Sequence, residues 1–378
     1  MVSRLTADDL TARLDDEDTS FTLVDTRQAD SFADWHINGA YNIPFDPVEG
    51  FDDAYRERVA GIANGDHVVV VCAKGLTSTP FAIHLEEAGY DDVSVVIGGM
   101  ERWSTVMDTV PIETDDLLLV QCQRRATGCL SYLIGSASTR EAAVVDPARS
   151  TDHYHRLAQA HDLTISSVID THVHADHVSG GPGLAETLDV PYHLGASPST
   201  KHDYVPLSPA QPIDLGPVSI DVIHAPGHTE EMATLLVDDR YLLASDTLFL
   251  ESVGRTELGF EDDAGAERGA DLLYDTLQRF ERLDPELMVL PGHVSIKDDI
   301  SFEEGAPGQP IAATLGELFE ALSLLTDDRD DFIDAITSDL PEQPADYETV
   351  IAVNSGQQDL DTWEEGAELD AGANNCSA

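Results

Sequence analysis

The segment Thr171-His172-Val173-His174-Ala175-Asp176-His177 follows an apolar run that ends Val168-Ile169-Asp170. It concentrates three imidazoles and a carboxylate just past a strand-like stretch. Two further histidines stand in short turns, Pro226-Gly227-His228-Thr229 and Pro291-Gly292-His293. Asp246 lies between those turns, after the apolar run 241–245. Imidazole and carboxylate donors delivered from several strand ends are what a buried transition metal requires. The set His172, His174, Asp176, His177, His228, Asp246 and His293 therefore makes this chain a metalloenzyme candidate. A second chemistry is carried by Cys72, which closes the run 68–71 of four valines and opens Cys72-Ala73-Lys74-Gly75-Leu76-Thr77-Ser78. A loop between a strand end and a helix start presents backbone N–H groups to an anion, and the same field favours thiolate over thiol. Lys74, Gly75 and Thr77 are the substrate-binding candidates of that loop. The bland alternative is a buried core cysteine. A phosphatase loop would need arginine six positions after the cysteine for bidentate phosphate binding, and Ser78 stands there.

The elements that must position these groups fall into two patterns. Short apolar runs at 22–25, 68–71 and 94–97 alternate with helical spacing at 79–88, which predicts a parallel sheet covered by helices. A join is expected near 104–116. Three strand-like runs in quick succession, 117–121, 129–134 and 142–145, open a second unit. Helices then alternate with strands up to His293, and runs at 218–223 and 233–237 bracket the His228 turn. Helix-like stretches at 311–325 and 331–336 precede an acidic, Asn-rich end. The domains expected are 1–110, 117–300 and a helical extension at 301–378 packed on the metal domain.

The chain of 378 residues has 72 acidic against 20 basic residues, a formal net charge of −52, with 42% hydrophobic residues. Acids interspersed with well-patterned apolar segments argue for a folded protein with an acidic surface suited to high salt, where screening quenches self-repulsion. Such a surface repels nucleic acid and anionic membranes. No apolar run is long enough to span a membrane and the start is polar, so a cytoplasmic location is expected. Cys72, Cys122, Cys129 and Cys376 are too few and scattered for a disulfide framework and are read as thiols. Self-association into a homo-oligomer is left open.

The first unit resembles the rhodanese family of sulfurtransferases. Val24-Asp25-Thr26-Arg27, His36-Ile37-Asn38-Gly39-Ala40, Asn42-Ile43-Pro44 and Gly98-Gly99-Met100 with Trp103 carry the resemblance. It implies an α/β domain, a parallel sheet with helices on both faces, in which Cys72 carries a persulfide sulfur. Many active rhodaneses have arginine where Thr77 stands, so a bulkier persulfide is expected to be a better donor than thiosulfate. From about Leu117 onward the chain resembles the metallo-β-lactamase superfamily, through the His-x-His-x-Asp-His block, Pro226-Gly227-His228-Thr229, Ser245-Asp246-Thr247 and Pro291-Gly292-His293. That implies an α+β fold, an αββα sandwich with the metal site at one edge of the sheets.

Superfamily membership does not fix the reaction. In the glyoxalase II-like branch, resemblance assigns two zinc ions per chain. His172, His174, His228 and a bridging Asp246 would hold one; Asp176, His177, His293 and Asp246 the other, for thioester hydrolysis. In the persulfide dioxygenase branch it assigns one Fe(II) per chain to His172, His228 and Asp246, a facial triad that leaves positions for water, substrate sulfur and dioxygen. His174, Asp176, His177 and His293 would then orient ligands and shape the pocket. Three features tilt the reading to the dioxygenase. Gly128 to Tyr132 with Val145-Asp146-Pro147, and Val253-Gly254-Arg255-Thr256-Glu257, resemble that branch, where Arg255 is a candidate for a substrate carboxylate. Asn374-Asn375-Cys376 resembles a tail that brings a cysteine near the iron. The partner domain handles persulfide sulfur. Two stretches depart from the branch: Glu230-Glu231-Met232 replaces a frequent Pro-Gly pair, and Val294-Ser295 lacks a tyrosine often found there. The expected reaction converts a low-molecular-weight thiol persulfide and dioxygen to sulfite and thiol, with Cys72 delivering sulfur or forming thiosulfate. A dinuclear zinc hydrolase and a non-catalytic sulfur carrier or sensor are the alternatives.

Overall fold

The computed structural model describes residues 2–370, apart from 17, 64–66, 198, 261–264, 298–300, 339, 341–342 and 344–345. The Asn374-Asn375-Cys376 segment lies outside the described residues. Near the N-terminus, five strands form one sheet in which every recorded pairing is parallel. Its centre is Phe21–Asp25 beside His67–Val71, the valine run, which is buried because helices cover both faces. The Asp25-Thr26-Arg27 motif is structural: Arg27 forks onto the buried Asp25 carboxylate and also donates to the carbonyl of Trp35.

The rest forms two packed sheets with helices outside. A seven-stranded mixed sheet runs from the edge strand Met107–Thr114 to Val205–Pro206. A six-stranded sheet runs from Ile213–Leu215 to Ala313–Thr314. Leu119, Tyr132 and Ile134 of the first interdigitate with Ile220, Leu235 and Leu243 of the second. The helix Gly265–Phe280 covers the six-stranded sheet through Leu273, Leu277 and Phe280. The helices Asp152–Ala160 and Gly181–Leu188 cover the other through Tyr154, Ala158 and Leu184. Each sheet thus buries both faces, and the expected αββα layering is met.

Two expectations need correction. The join at 104–116 is largely a strand, Met107–Thr114, paired antiparallel with Leu117–Arg124. The second unit therefore begins before residue 110 rather than at 117. The strand is an edge with only Val110 buried, so it lacks the apolar signature that periodicity detects. The stretch 311–325 is not one helix but a short strand, the helix Leu315–Ala321 and a 3-10 turn Ser323–Thr326. The extension packs on the metal domain, as Phe332 and Ile336 show. It also reaches the first domain, where Glu368 of the helix Trp363–Leu369 pairs with Lys74. Ala126, from the turn after Leu117–Arg124, joins the first domain's core, and Arg125 pairs with Asp15. None of the described helices is long and apolar enough to cross a membrane.

Candidate metal centre and sulfur loop

All the metal-ligand candidates lie at one edge of the two sheets because each follows a strand there. His172 follows Thr164–Asp170, Asp246 follows Tyr241–Ser245, and His293 follows Met288–Pro291. His228 sits in the turn between Val218–His224 and Ala233–Val237. Asp146 and Ser245, at the ends of their strands, adopt left-handed backbone with φ of 49° and 46°. Non-glycine residues pay for that conformation only where surroundings enforce it. Here the enforcing group is Thr171, whose N–H donates to Asp146 at 2.7 Å and whose hydroxyl lies 2.7 Å from that of Ser245.

His172, His228 and Asp246 form one cluster with donor atoms within 4.8 Å of one another. The Nε2 atoms of His172 and His228 lie 3.8 and 3.7 Å from Asp246 Oδ2. The carbonyl of Arg255 accepts from Nδ1 of His228 at 2.7 Å, which leaves Nε2 as the lone-pair donor. Burial and the neighbouring His174 hold the His172 pKa well below the usual imidazole range, so its ring is neutral. His172 Nε2 and Asp246 Oδ2 are buried without a hydrogen-bond partner. Buried polar atoms left this way are costly unless something satisfies them. A divalent cation held by two neutral imidazoles and one carboxylate fits this arrangement.

His174 falls in a separate potential metal-holding group with Asp146 and Asp170, although its ring centre lies 4.2 Å from that of His172. Its Nε2 lies 3.3 Å from Asp146 and 3.8 Å from Asp170. Burial would lower its pKa, but the two carboxylates outweigh burial and raise it well above the usual value. Asp176, His177 and His293 gather in another cluster, together with Cys129. His293 joins the two clusters: its Nδ1 lies 2.6 Å from Asp246 Oδ1 and its Nε2 lies 3.1 Å from Asp176. A Cβ on Gly292 would collide with Asp246 Oδ1, so the Pro-Gly-His turn needs glycine for close approach.

Two groups at this centre escaped sequence reasoning. Cys129 was read only as a free thiol at a strand start. Burial alone would raise its pKa, but His293, His177 and Arg124 draw it down to about 6. Cys122, buried without such neighbours, is pushed up to about 12. Asn354, buried on the helix Tyr347–Asn354, donates to the carbonyls of His174 and His177 and accepts from the N–H of Ser179. Nothing in the local sequence marks a lone asparagine about 180 positions away as the brace of the histidine loop.

Cys72 lies at the end of His67–Val71, before the helix Ser78–Glu87. Ser78 N–H donates to its Sγ at 3.3 Å. Burial would raise the thiol pKa, but bonds from Ser78 and Thr77 bring it below the usual value. The loop is pinned from the helix Gly99–Trp103, where Met100 N–H donates to the Cys72 carbonyl at 2.8 Å. Gly99, with φ of 59°, approaches so closely that a Cβ would strike that carbonyl. Thr77 stands at the N-cap position of the following helix without a side-chain capping bond, and Gly75 turns the loop with φ of 77°. The Lys74 ammonium is engaged by Glu101 at 3.0 Å and Glu368 at 2.9 Å. Arg255 is fully buried and paired with Glu257, rather than lying at the surface.

The fold and the paired sites define a protein with a sulfurtransferase-type loop in front of a metal-binding αββα sandwich. The family comparisons agree. Residues 6–105 match the rhodanese-like domain and residues 124–293 match the metallo-beta-lactamase superfamily. The chain carries a metallo-beta-lactamase superfamily domain behind an N-terminal rhodanese-like domain. It is similar to the hydroxyacylglutathione hydrolase of Glaesserella parasuis, with 30% identity over 164 residues, 43% of this chain and 66% of that protein. The hydroxyacylglutathione hydrolase of Haemophilus ducreyi is 27% identical, covering 46% of this chain and 69% of its own length. The chain thus spans about two thirds of the length of these hydrolases. Among solved structures it is similar to ETHE1 from Myxococcus xanthus, with 25% identity and a TM-score of 0.53 over 64% of this chain and 99% of that one. A metallo-beta-lactamase from Staphylococcus aureus shares the fold, with a TM-score of 0.58 and 24% identity over 66% of this chain and 75% of that one.

Proposed function

We propose that the chain is an iron-dependent persulfide dioxygenase coupled to rhodanese-type sulfur transfer. The observation that carries this reading is the division of the histidines. His172, His228 and Asp246 converge, while His174, beside His172, groups with Asp146 and Asp170 instead. Two neutral imidazoles and one carboxylate form the donor set of a facial triad. A ferrous ion held there would supply open positions for substrate sulfur and dioxygen. The likeness to ETHE1 and the branch-specific sequence blocks support the same reading.

The chain's own residues have defined parts. The Arg255 carbonyl and the Thr171 hydroxyl orient His228 and His172. Asp176 and His293 form a polar wall next to the triad. Cys72 holds sulfane sulfur in its amide cradle. In the net reaction a thiol persulfide, dioxygen and water give thiol, sulfite and two protons; dioxygen supplies two of the sulfite oxygens and water the third.

The cluster of Asp176, His177 and His293 beside Asp246, and the hydroxyacylglutathione hydrolase relatives, favour a second reading: a dinuclear zinc thioester hydrolase. Anaerobic loading with iron, followed by oxygen uptake with a thiol persulfide, separates the two. Stoichiometric uptake with sulfite release supports the dioxygenase. No uptake, with brisk thioester hydrolysis by the zinc form, replaces it with the hydrolase.

A further inference from the structure

A cavity of about 530 Å³ lies where the rhodanese-like domain, the metal domain and the C-terminal helix meet. Arg102 enters it from the first domain, Arg149, His153 and Arg156 from the second, and Trp363 from the helix. The Arg102 and Arg149 guanidinium groups stack on the Trp363 ring, 4.6 and 4.3 Å from its centre. Three of the 20 basic residues of a chain with 72 acidic ones thus share one hollow. Asp8 and Asp152 also line it, and Arg149 is tied to Asp370 at 3.2 Å. Arg102 and Arg156 have no carboxylate partner among the described residues. His153 keeps a buried Nε2 without a hydrogen-bond partner.

The neighbouring sulfur loop explains why cations here matter. Its lysine is already held by two glutamates. Arg102 is one layer away from that loop. A Cβ on Gly75 would press on Gly98, and a Cβ on Gly98 would strike the Arg102 side chain. Guanidinium groups bind tetrahedral and pyramidal oxyanions through paired N–H donors; Arg149 and His153 are half-buried here, while Arg102 and Arg156 are exposed at the rim.

We propose that this junction cavity binds a divalent oxyanion, of the thiosulfate, sulfite or phosphate type. The site goes beyond the reading of the metal centre and does not depend on it. Its test is calorimetric titration of the full, metal-loaded chain carrying Cys72→Ser, which prevents reaction with thiosulfate. Sodium thiosulfate, sulfite and phosphate are each added at constant ionic strength in chloride, with tryptophan emission followed in parallel. The expected result is saturable one-to-one binding of at least one anion, with an emission change that Trp363→Phe removes. Arg102→Gln with Arg156→Gln should weaken binding at least tenfold while circular dichroism and metal content stay unchanged. His172→Ala should bind the anion as the parent does, which separates this site from the metal centre. Tighter binding of thiosulfate or of phosphate identifies the source of the anion, and either order supports the site. Absence of saturable binding for all three anions, or unchanged affinity in the double arginine variant, overturns it. Oxygen uptake is read independently, so failure here leaves the proposed activity standing, and the reverse.

Discussion

His174 turns its Nε2 towards Asp146, 3.3 Å away, although it is only two residues from the triad ligand His172. The two carboxylates raise its pKa well above the usual value despite burial, which favours the charged ring, the form that competes with metal binding. Removing the ligand His172 and removing the bystander His174 should therefore differ. His172→Ala is expected to lose at least a hundredfold in iron affinity. His174→Gln should keep one metal per chain and lose about tenfold, the range for a group that orients ligands from behind. Elemental analysis after equilibrium dialysis checks both. Equal loss of metal in the two variants would point to His174 as a ligand.

Asn354 braces the loop from behind with three hydrogen bonds. Asn354→Ala leaves two carbonyls and one N–H buried and unsatisfied. It should destabilise the second domain by about 2–4 kcal/mol, given about 1–3 kcal/mol for each buried group left unmade and partial relaxation. Chemical denaturation measures this, and metal retention should fall with it. Asn354→Asp keeps the acceptor but loses both donors, so it should recover little.

The Cys72 thiol is predicted to ionise below the ordinary thiol range because Ser78 and Thr77 stabilise the thiolate against the opposing effect of burial. Thiolate is the reactive form, so alkylation by iodoacetamide should rise with pH and level off at a lower pH than for a free thiol. Ser78→Ala removes the hydroxyl but keeps the backbone N–H, and should move the midpoint upward. An unchanged midpoint would show that the hydroxyl contributes nothing to the thiolate.

With a net charge of −52, like-charge repulsion favours the expanded chain at low ionic strength. The thermal unfolding midpoint is expected to rise steadily between about 0.1 and 2 M potassium chloride, since screening shortens the reach of each charge from about 10 Å to a few Å. A midpoint that falls over this range would remove the case for a salt-adapted surface.

The fold was legible wherever apolar residues cluster on a regular period. The runs 68–71 and 241–245 read as strands and fold as strands because both of their faces are buried. The metal-ligand candidates were legible as a group because each follows a strand that ends at the same edge of the sheets. The strand Met107–Thr114 was not, since an edge exposes polar side chains and buries one valine. Nor was the part played by Asn354 or Cys129. Each acquires its role from a neighbour that only the tertiary fold supplies, and no local spacing encodes that. The number of metals was not legible, because the sequence holds every ligand of both arrangements.

The C-terminal helix has a mechanical consequence. Through Glu368 it grips the loop of Cys72, and just beyond it Asp370 accepts from the N–H of Val178, next to His177. One short helix and its C-terminal cap thus touch both loops, by a partly exposed ion pair at the Cys72 side and a buried bond at the histidine side. Losing that helix would therefore loosen both loops at once.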